Sequence, residues 1–226
     1  DSCIWTCPAR ACAGKIAGMG QLLEIHPENP QARRVSEAVE VLSSGGVVVY
    51  PTDSIYAIGC RVGDKDAIGR IRRLRRLDRK HLFTLVCRDL SEIATYARVD
   101  NQSYRLIRSM TPGPYTFILP ATKQVPKRLQ HARRRTIGIR VPTHPITRAL
   151  LEELGEPLLS TTMQLPDDAL PLTEAFDIFE RVGHEVDLVI DGGPCGLDPT
   201  SVIDLFGSYP VVLREGMGNV AHLIEA

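Results

Sequence analysis

Residues 31–60 read QARRVSEAVEVLSSGGVVVYPTDSIYAIGC, and three successive textures in that stretch decide the fold. Val35, Ala38, Val39 and Leu42 recur at the spacing of one helix face, so residues 31–44 are expected to form an amphipathic helix. Gly45-Gly46 stops it, because glycine enters the left-handed backbone region at little cost. Val47 to Tyr50 is a run of branched and aromatic residues bounded by turn formers, the mark of a buried strand. Pro51-Thr52-Asp53 turns the chain, and Ile55 to Cys60 returns as a second strand. A helix, a buried strand and a returning strand in quick succession point to an α/β protein with a mixed sheet.

The alternation continues downstream. Asp66–Arg76 is a second amphipathic helix, with Ala67, Ile68, Ile71 and Leu74 inward and arginine outward. Strands are expected at Phe83–Cys87, Thr116–Leu119, Ile137–Val141 and Leu158–Thr161, and helices at Asn101–Met110 and Pro145–Leu154. A looser acidic stretch follows, then short strands at Leu188–Ile190, Val202–Leu205 and Val211–Arg214. No repeat and no long Pro/Gly/Ser linker divides the chain, so residues 19–226 are expected to form one domain. Residues 1–18 lack periodicity, and also lack the basic start and apolar stretch of a secretory signal. They are read as a disordered or expression-derived extension.

With 226 residues, 43% of them hydrophobic and 24% charged, the composition is that of a globular domain with a sizeable core. Apolar runs such as Val47–Tyr50 are too short to span a bilayer, and a cytoplasmic location is expected. Outside residues 1–18 the cysteines are Cys60, Cys87 and Cys195, whose wide spacing argues against disulfides or a zinc site. The net charge of zero conceals a polarity. Residues 61–140 hold 20 Lys/Arg against 6 Asp/Glu, while residues 141–226 hold 3 against 15. Such a chain either presents a field that attracts a polyanion or neutralises its two halves against each other on folding.

Three segments combine backbone-shaping residues with small hydroxyls at expected strand ends, where α/β sheets place ligands: Pro51–Gly59, Thr111–Phe117 and Leu159–Gln164. Hydroxyls and exposed amides there suit phosphate oxygens or an amino-acid carboxylate. In order, PTDSIYAIG, TPGPYTF, IGIRVPTHP, LSTT, PTSVID and VLREG resemble the YrdC/YciO family of threonylcarbamoyl-AMP synthase-like domains from about Gln31 to Val220. The stretches MGQLLEIHPENPQ and FTLVCRDLSE are similar to the YciO branch in particular.

The resemblance implies an α/β fold with a twisted mixed sheet around a concave basic cavity. It also implies condensation of ATP, L-threonine and bicarbonate to threonylcarbamoyl-AMP for tRNA modification, together with double-stranded RNA binding. Carried over by position, Thr52 would meet threonine and Arg140 would pair with its carboxylate, for which a guanidinium fork is well shaped. Thr116, Ser160 and Thr162 would line the nucleotide site, and Ser201 and Arg214 would close around it. Mg²⁺ is expected only as the companion of ATP.

The departures matter as much. Where the synthases carry Lys-x-Arg, this chain has Arg75-Arg76-Leu77, and where they carry Ser-Thr-Ser-Ala-Asn it has Ser160-Thr161-Thr162-Met163-Gln164. Arg75 keeps one charge and Leu77 removes the other; Arg76, Arg79, Lys80 and His81 stand near enough in sequence to compensate. Cations at an adenylate-forming site stabilise the departing pyrophosphate. The expectation is therefore a nucleotide- and threonine-type pocket with weak or lost synthase activity, and the alternative is a working synthase. Arg72, Arg73, Arg76, Arg79 and Lys80 form one basic cluster, and Lys127, Arg128, Arg133, Arg134 and Arg135 a second. With few aromatics to stack on bases, the two favour structured RNA, either tRNA or ribosomal RNA.

Overall fold

The computed structural model of the protein describes residues 20–78 and 81–224. The reading of residues 1–18 falls outside the described residues, as do Arg79 and Lys80. In chain order the elements are β1 (Gln21–Glu24), α1 (Ala32–Ser43), β2 (Val48–Tyr50), β3 (Ala57–Arg61), α2 (Lys65–Leu74) and β4 (Thr84–Val86). Then come α3 (Leu90–Tyr96), α4 (Asn101–Met110), β5 (Tyr115–Pro120), a 3-10 turn (Lys127–Leu129), β6 (Thr136–Arg140), α5 (Pro145–Leu154) and β7 (Leu158–Thr162). The chain continues with α6 (Ala175–Val182), β8 (Leu188–Asp191), β9 (Ser201–Asp204), β10 (Val211–Arg214) and α7 (Ala221–Ile224).

All ten strands join one mixed sheet in the order β1-β8-β2-β3-β7-β4-β6-β5-β9-β10. The β2–β3 return is antiparallel, with Val49 opposite Ile58. At the far edge β10 runs antiparallel to β9, and the register shifts after Val212 so that Arg214 lies opposite Val202. Local signals set the helix ends. Gly45 adopts φ +85° after α1. Asp64 caps α2 by accepting from the backbone N–H groups of Asp66 and Ala67, and Gly155, at φ +71°, ends α5.

Two apolar clusters hold the sheet between helices. On one face Ile68, Ile71, Ile93, Ile107 and Ile178 from α2, α3, α4 and α6 pack with Leu85, Phe117, Ile139 and Leu159 of the strands. On the other, α1 and α5 contribute Val35, Leu42, Ile146 and Leu150 against Val48, Tyr50, Leu158, Leu188 and Ile190. That second cluster covers β1, β8, β2 and β3 and reaches only Leu158 of β7 and Val86 of β4, leaving the rest of the middle strands bare on the same face.

Three elements differ from the expectation. The acidic stretch after β7 contains α6, whose Ala175, Ile178 and Val182 form an inward stripe despite the surrounding carboxylates. Leu90–Tyr96 is a helix, capped by Asp89 accepting from Glu92 N–H, and Gln21–Glu24 adds an outer strand parallel to β8. Among the described residues no helix is long and apolar enough to cross a membrane. None of their His, Cys, Asp and Glu side chains form a group of three or more that could hold a metal ion.

Candidate ligand-binding site

The bare half of the sheet face is a cavity of about 230 Å³. Its walls follow from strand alternation, since every second residue of a strand faces the same side. Thr84 and Val86 of β4, Thr116 and Ile118 of β5, Ser160 and Thr162 of β7, and Thr200 and Val202 at β9 line it. Residues out of phase with them, Leu85, Phe117, Leu159 and Ile203, belong to the opposite apolar cluster. Gly138 sits in the same alternation on β6; a Cβ there would stand 3.1 Å from Thr84 Oγ1 and 3.4 Å from Thr116 Cγ2, so glycine keeps the floor open. Ser54 to Ala57, His81, Thr161, Arg140 and Arg214 complete the wall.

Arg140 ends β6 and is only 8% exposed. Its Nη2 donates to Ser54 Oγ at 3.1 Å, to Thr52 Oγ1 at 3.3 Å and, closest of all, to Asp53 Oδ1. The other Asp53 oxygen accepts from the N–H and hydroxyl of Thr143 at 3.2 and 3.0 Å. Arg140 Nε is buried without a partner among the described residues. Thr52 stands one layer behind the wall, its hydroxyl donating to the Ile55 carbonyl at 2.7 Å. The resemblance implies Arg140 as a carboxylate reader; the structure adds Asp53, which neutralises it from 87 positions away.

Along the β7 side, Tyr50 reaches under the wall and its hydroxyl donates to Ser160 Oγ at 2.7 Å. Burial pushes that phenol up to about 12, so it stays a donor. Thr161 Oγ1 accepts from Arg75 Nη1 at 3.2 Å and lies 3.0 Å from His81 Nε2. Burial, then the charges of Arg75 and Arg72, hold the His81 imidazole below its ordinary pKa, which favours the neutral ring. Arg75 is itself turned from the cavity, its Nε donating to the Gln164 carbonyl at 2.6 Å. Across the sheet the Thr116 and Thr200 hydroxyls lie 2.9 Å apart. Arg214 donates to the Thr200 carbonyl through Nε at 3.0 Å and Nη2 at 2.8 Å.

Of the expected binding residues, His81, Thr116, Arg140, Ser160, Thr162 and Arg214 therefore share one wall, with Thr52 and Arg75 directly behind it. Ser201 and Gln164 lie elsewhere. Ser201 is out of phase with Thr200 and Val202, and its Oγ donates to the Gly218 carbonyl at 2.6 Å and accepts Gly216 N–H at 2.9 Å. The Gln164 amide reaches the Asp168 carbonyl at 3.3 Å. Ser54 and Thr161 fall inside the hydroxyl-rich segments without being singled out there, and Thr84 and Thr200 escaped the sequence reading. Alternation with Val86 and Val202 carries the signal for Thr84 and Thr200, but only once the inward face is known.

The basic clusters are less free than their sequence suggests. Arg61–Glu156, Arg70–Asp187, Arg76–Asp167 and Arg134–Asp204 all pair a residue of the basic block with one of the acidic block. Arg134 holds both Asp204 oxygens and lies 4.5 Å from the Phe206 ring centroid. Arg72 donates to the Asp78 carbonyl at 3.0 Å and stands 5.4 Å from the Phe83 centroid. Arg128 donates to the Gly63 carbonyl. The side chains of Arg73, Lys127, Arg133 and Arg135 are exposed and make no ion pair among the described residues.

Comparison with known proteins matches this architecture. The family model Sua5/YciO/YrdC, described as telomere recombination, covers residues 40–216. YciO of Escherichia coli K12 is 54% identical over 202 residues, 89% of this chain and 98% of that protein, and a crystal structure of E. coli YciO superimposes with a TM-score of 0.87 at 53% identity, covering 91% of this chain and all of that one. A threonylcarbamoyl-AMP synthase of Halorhodospira halophila is 29% identical over 180 residues, 79% of this chain and 93% of the synthase. Sua5 of P. abyssi, crystallised with L-threonine, shares the fold with a TM-score of 0.80 at 24% identity, covering 87% of this chain and 57% of that one. With most of its length matched by the family model and its fold shared with YciO, the chain belongs to the Sua5/YciO/YrdC family.

Proposed function

We propose that the cavity binds a nucleotide together with L-threonine or a close analogue, and that its capacity to make threonylcarbamoyl-AMP is weak or lost. The observation that carries this reading is the state of the cations. Arg140 is neutralised by Asp53, His81 is held toward its neutral form, Arg75 is turned onto Gln164 and Thr161, and Leu77 packs against the apolar core. Among the cations that line the cavity this leaves Arg214, tied by Nε and Nη2 to the Thr200 carbonyl but paired with no carboxylate among the described residues, to meet a phosphate. Loss of one such contact in a phosphoryl-type transition state costs about 2–4 kcal/mol, a hundredfold or more in rate. Binding survives this better than turnover, because hydroxyls and amides remain for the ground state.

Mg²⁺ would arrive with the nucleotide and be held chiefly by its phosphates. Structured RNA is the proposed macromolecular partner, met through Arg73, Lys127, Arg133 and Arg135, while Arg134 and Arg76 are engaged elsewhere. A working synthase remains the second reading, supported by the gathering of Thr116, Arg140, Ser160, Thr162 and Arg214 on one wall. One pair of measurements separates the two. Calorimetry with ATP, AMP and threonine is expected to show binding, while pyrophosphate release in the presence of ATP, threonine and bicarbonate together stays near background. Turnover dependent on all three establishes the synthase instead, and absence of binding by every ligand sinks both.

A further inference from the structure

The pairing of Asp53 with Arg140 bears on which carboxylates the cavity accepts. Both side chains are only 10% exposed, so their charges meet little solvent screening. Three groups converge on one guanidinium nitrogen, and Nε is left unpartnered among the described residues. An oxygen acceptor brought in by a ligand would satisfy that orphaned donor. Its charge is another matter. A plain carboxylate added to an already neutral Arg⁺/Asp⁻ pair leaves one uncompensated negative charge in a poorly solvated place. A zwitterion adds none, since its ammonium balances its carboxylate and has the Asp53 oxygens as a nearby counter-charge. Arg214 does not alter this balance: it lies on β10, three strands from β6, or about 14 Å across the sheet, and its residue is exposed.

Building on the amino-acid reading above, we infer that Asp53 is a specificity-determining residue, which makes the cavity select a zwitterionic α-amino acid over the same carboxylate without its ammonium. Asp53 also has the anchoring needed to keep its place when a ligand arrives. Its second oxygen is tied to both polar groups of Thr143, at the turn leading into α5, so the carboxylate is fixed between two segments of backbone. The residue thus sets the charge of the subsite without belonging to its cavity-lining wall.

The test compares L-threonine with 3-hydroxybutyrate, the same skeleton lacking the ammonium, by calorimetry on the full chain. The unaltered protein is expected to prefer threonine by about tenfold or more. Asp53→Asn keeps the side-chain shape but frees the Arg140 charge, and is expected to reverse the order, strengthening 3-hydroxybutyrate and weakening threonine. Asp53→Glu, which restores the charge, should restore the preference for threonine. Equal affinities in the unaltered protein, or an unchanged preference in Asp53→Asn, overturn the inference while leaving the amino-acid site standing. If Asp53→Asn does not fold, the unaltered protein and Asp53→Glu still decide. Failure of threonine to bind at all removes the amino-acid reading and the selectivity with it.

Discussion

The two halves of one sheet face obey the same alternation and do opposite things. Beneath α1 and α5 the upward-facing positions are Val48, Tyr50, Leu158, Leu188 and Ile190, all closed from solvent. From Ser160 of β7 onward along the same surface they become Thr84, Thr116, Ser160, Thr162 and Thr200, which among the described residues face a cavity rather than a helix. Burying the first set supplies about 25 cal/mol per Å² of apolar surface removed from water. The second set instead faces the cavity with the Thr116, Thr200 and Ser160 hydroxyls paired inside the wall, since a buried hydroxyl must find a partner within the protein or lose stability. A cavity has been made by ending a layer of helices early.

The largest way to break this contrast is in the covered half. Leu150→Ala empties a fully buried position of α5 and should lower stability by about 2–5 kcal/mol in denaturant titrations, with the affinity of the folded fraction for threonine unchanged. Next comes the seam. Ser160→Ala removes the acceptor of the buried Tyr50 hydroxyl, and is expected to cost about 1–3 kcal/mol and also to weaken ligand binding, the one substitution felt on both sides.

Acidity gives a smaller and graded test. Burial keeps His81 and His144 below their ordinary pKa of 6.5, for His144 against the opposing pull of Asp53. The unfolded chain therefore takes up protons first, and stability should be full above pH 6.5 and fall as the pH drops toward the folded-state values. The slope is at most about 1.4 kcal/mol per pH unit for each imidazole. Melting temperatures across pH 7.5 to 5 would check this, and His81→Gln with His144→Asn should flatten the decline. The smallest effect belongs to the open half: Thr84→Val is expected to change stability by less than about 0.5 kcal/mol while reducing nucleotide or threonine affinity.

Much of the scaffold could be read in advance because its signals are local. The stripe through Val35, Ala38 and Leu42, the Gly45-Gly46 stop and the Val47–Tyr50 run each act within a few residues. What stayed hidden depends on distant pairing. Asp53 meets Arg140 only because β2 and β6 deliver their ends to one place, and Arg134 looks like a free cation until β9 brings Asp204 to it. In PTSVID the choice between Thr200 and Ser201 turns on which side of β9 is bare, and a strand cannot reveal that by itself. The acidic stretch concealed α6 for a related reason: Asp177 and Glu180 within the helix, and the carboxylates on either side of it, mask the three apolar positions that fix it.

The shifted register at β10 reaches further than the sheet edge. Had β10 continued in step with β9, Leu213 would have stood across from Val202 and Arg214 across from Ser201, on the side turned from the cavity. One supernumerary residue instead moves the guanidinium to the position facing Val202 and carries it to the rim. Hairpin arithmetic thus decides whether the mouth is greasy or cationic, and a homologue that counts one residue differently there would offer its guest another welcome, even with every wall residue preserved.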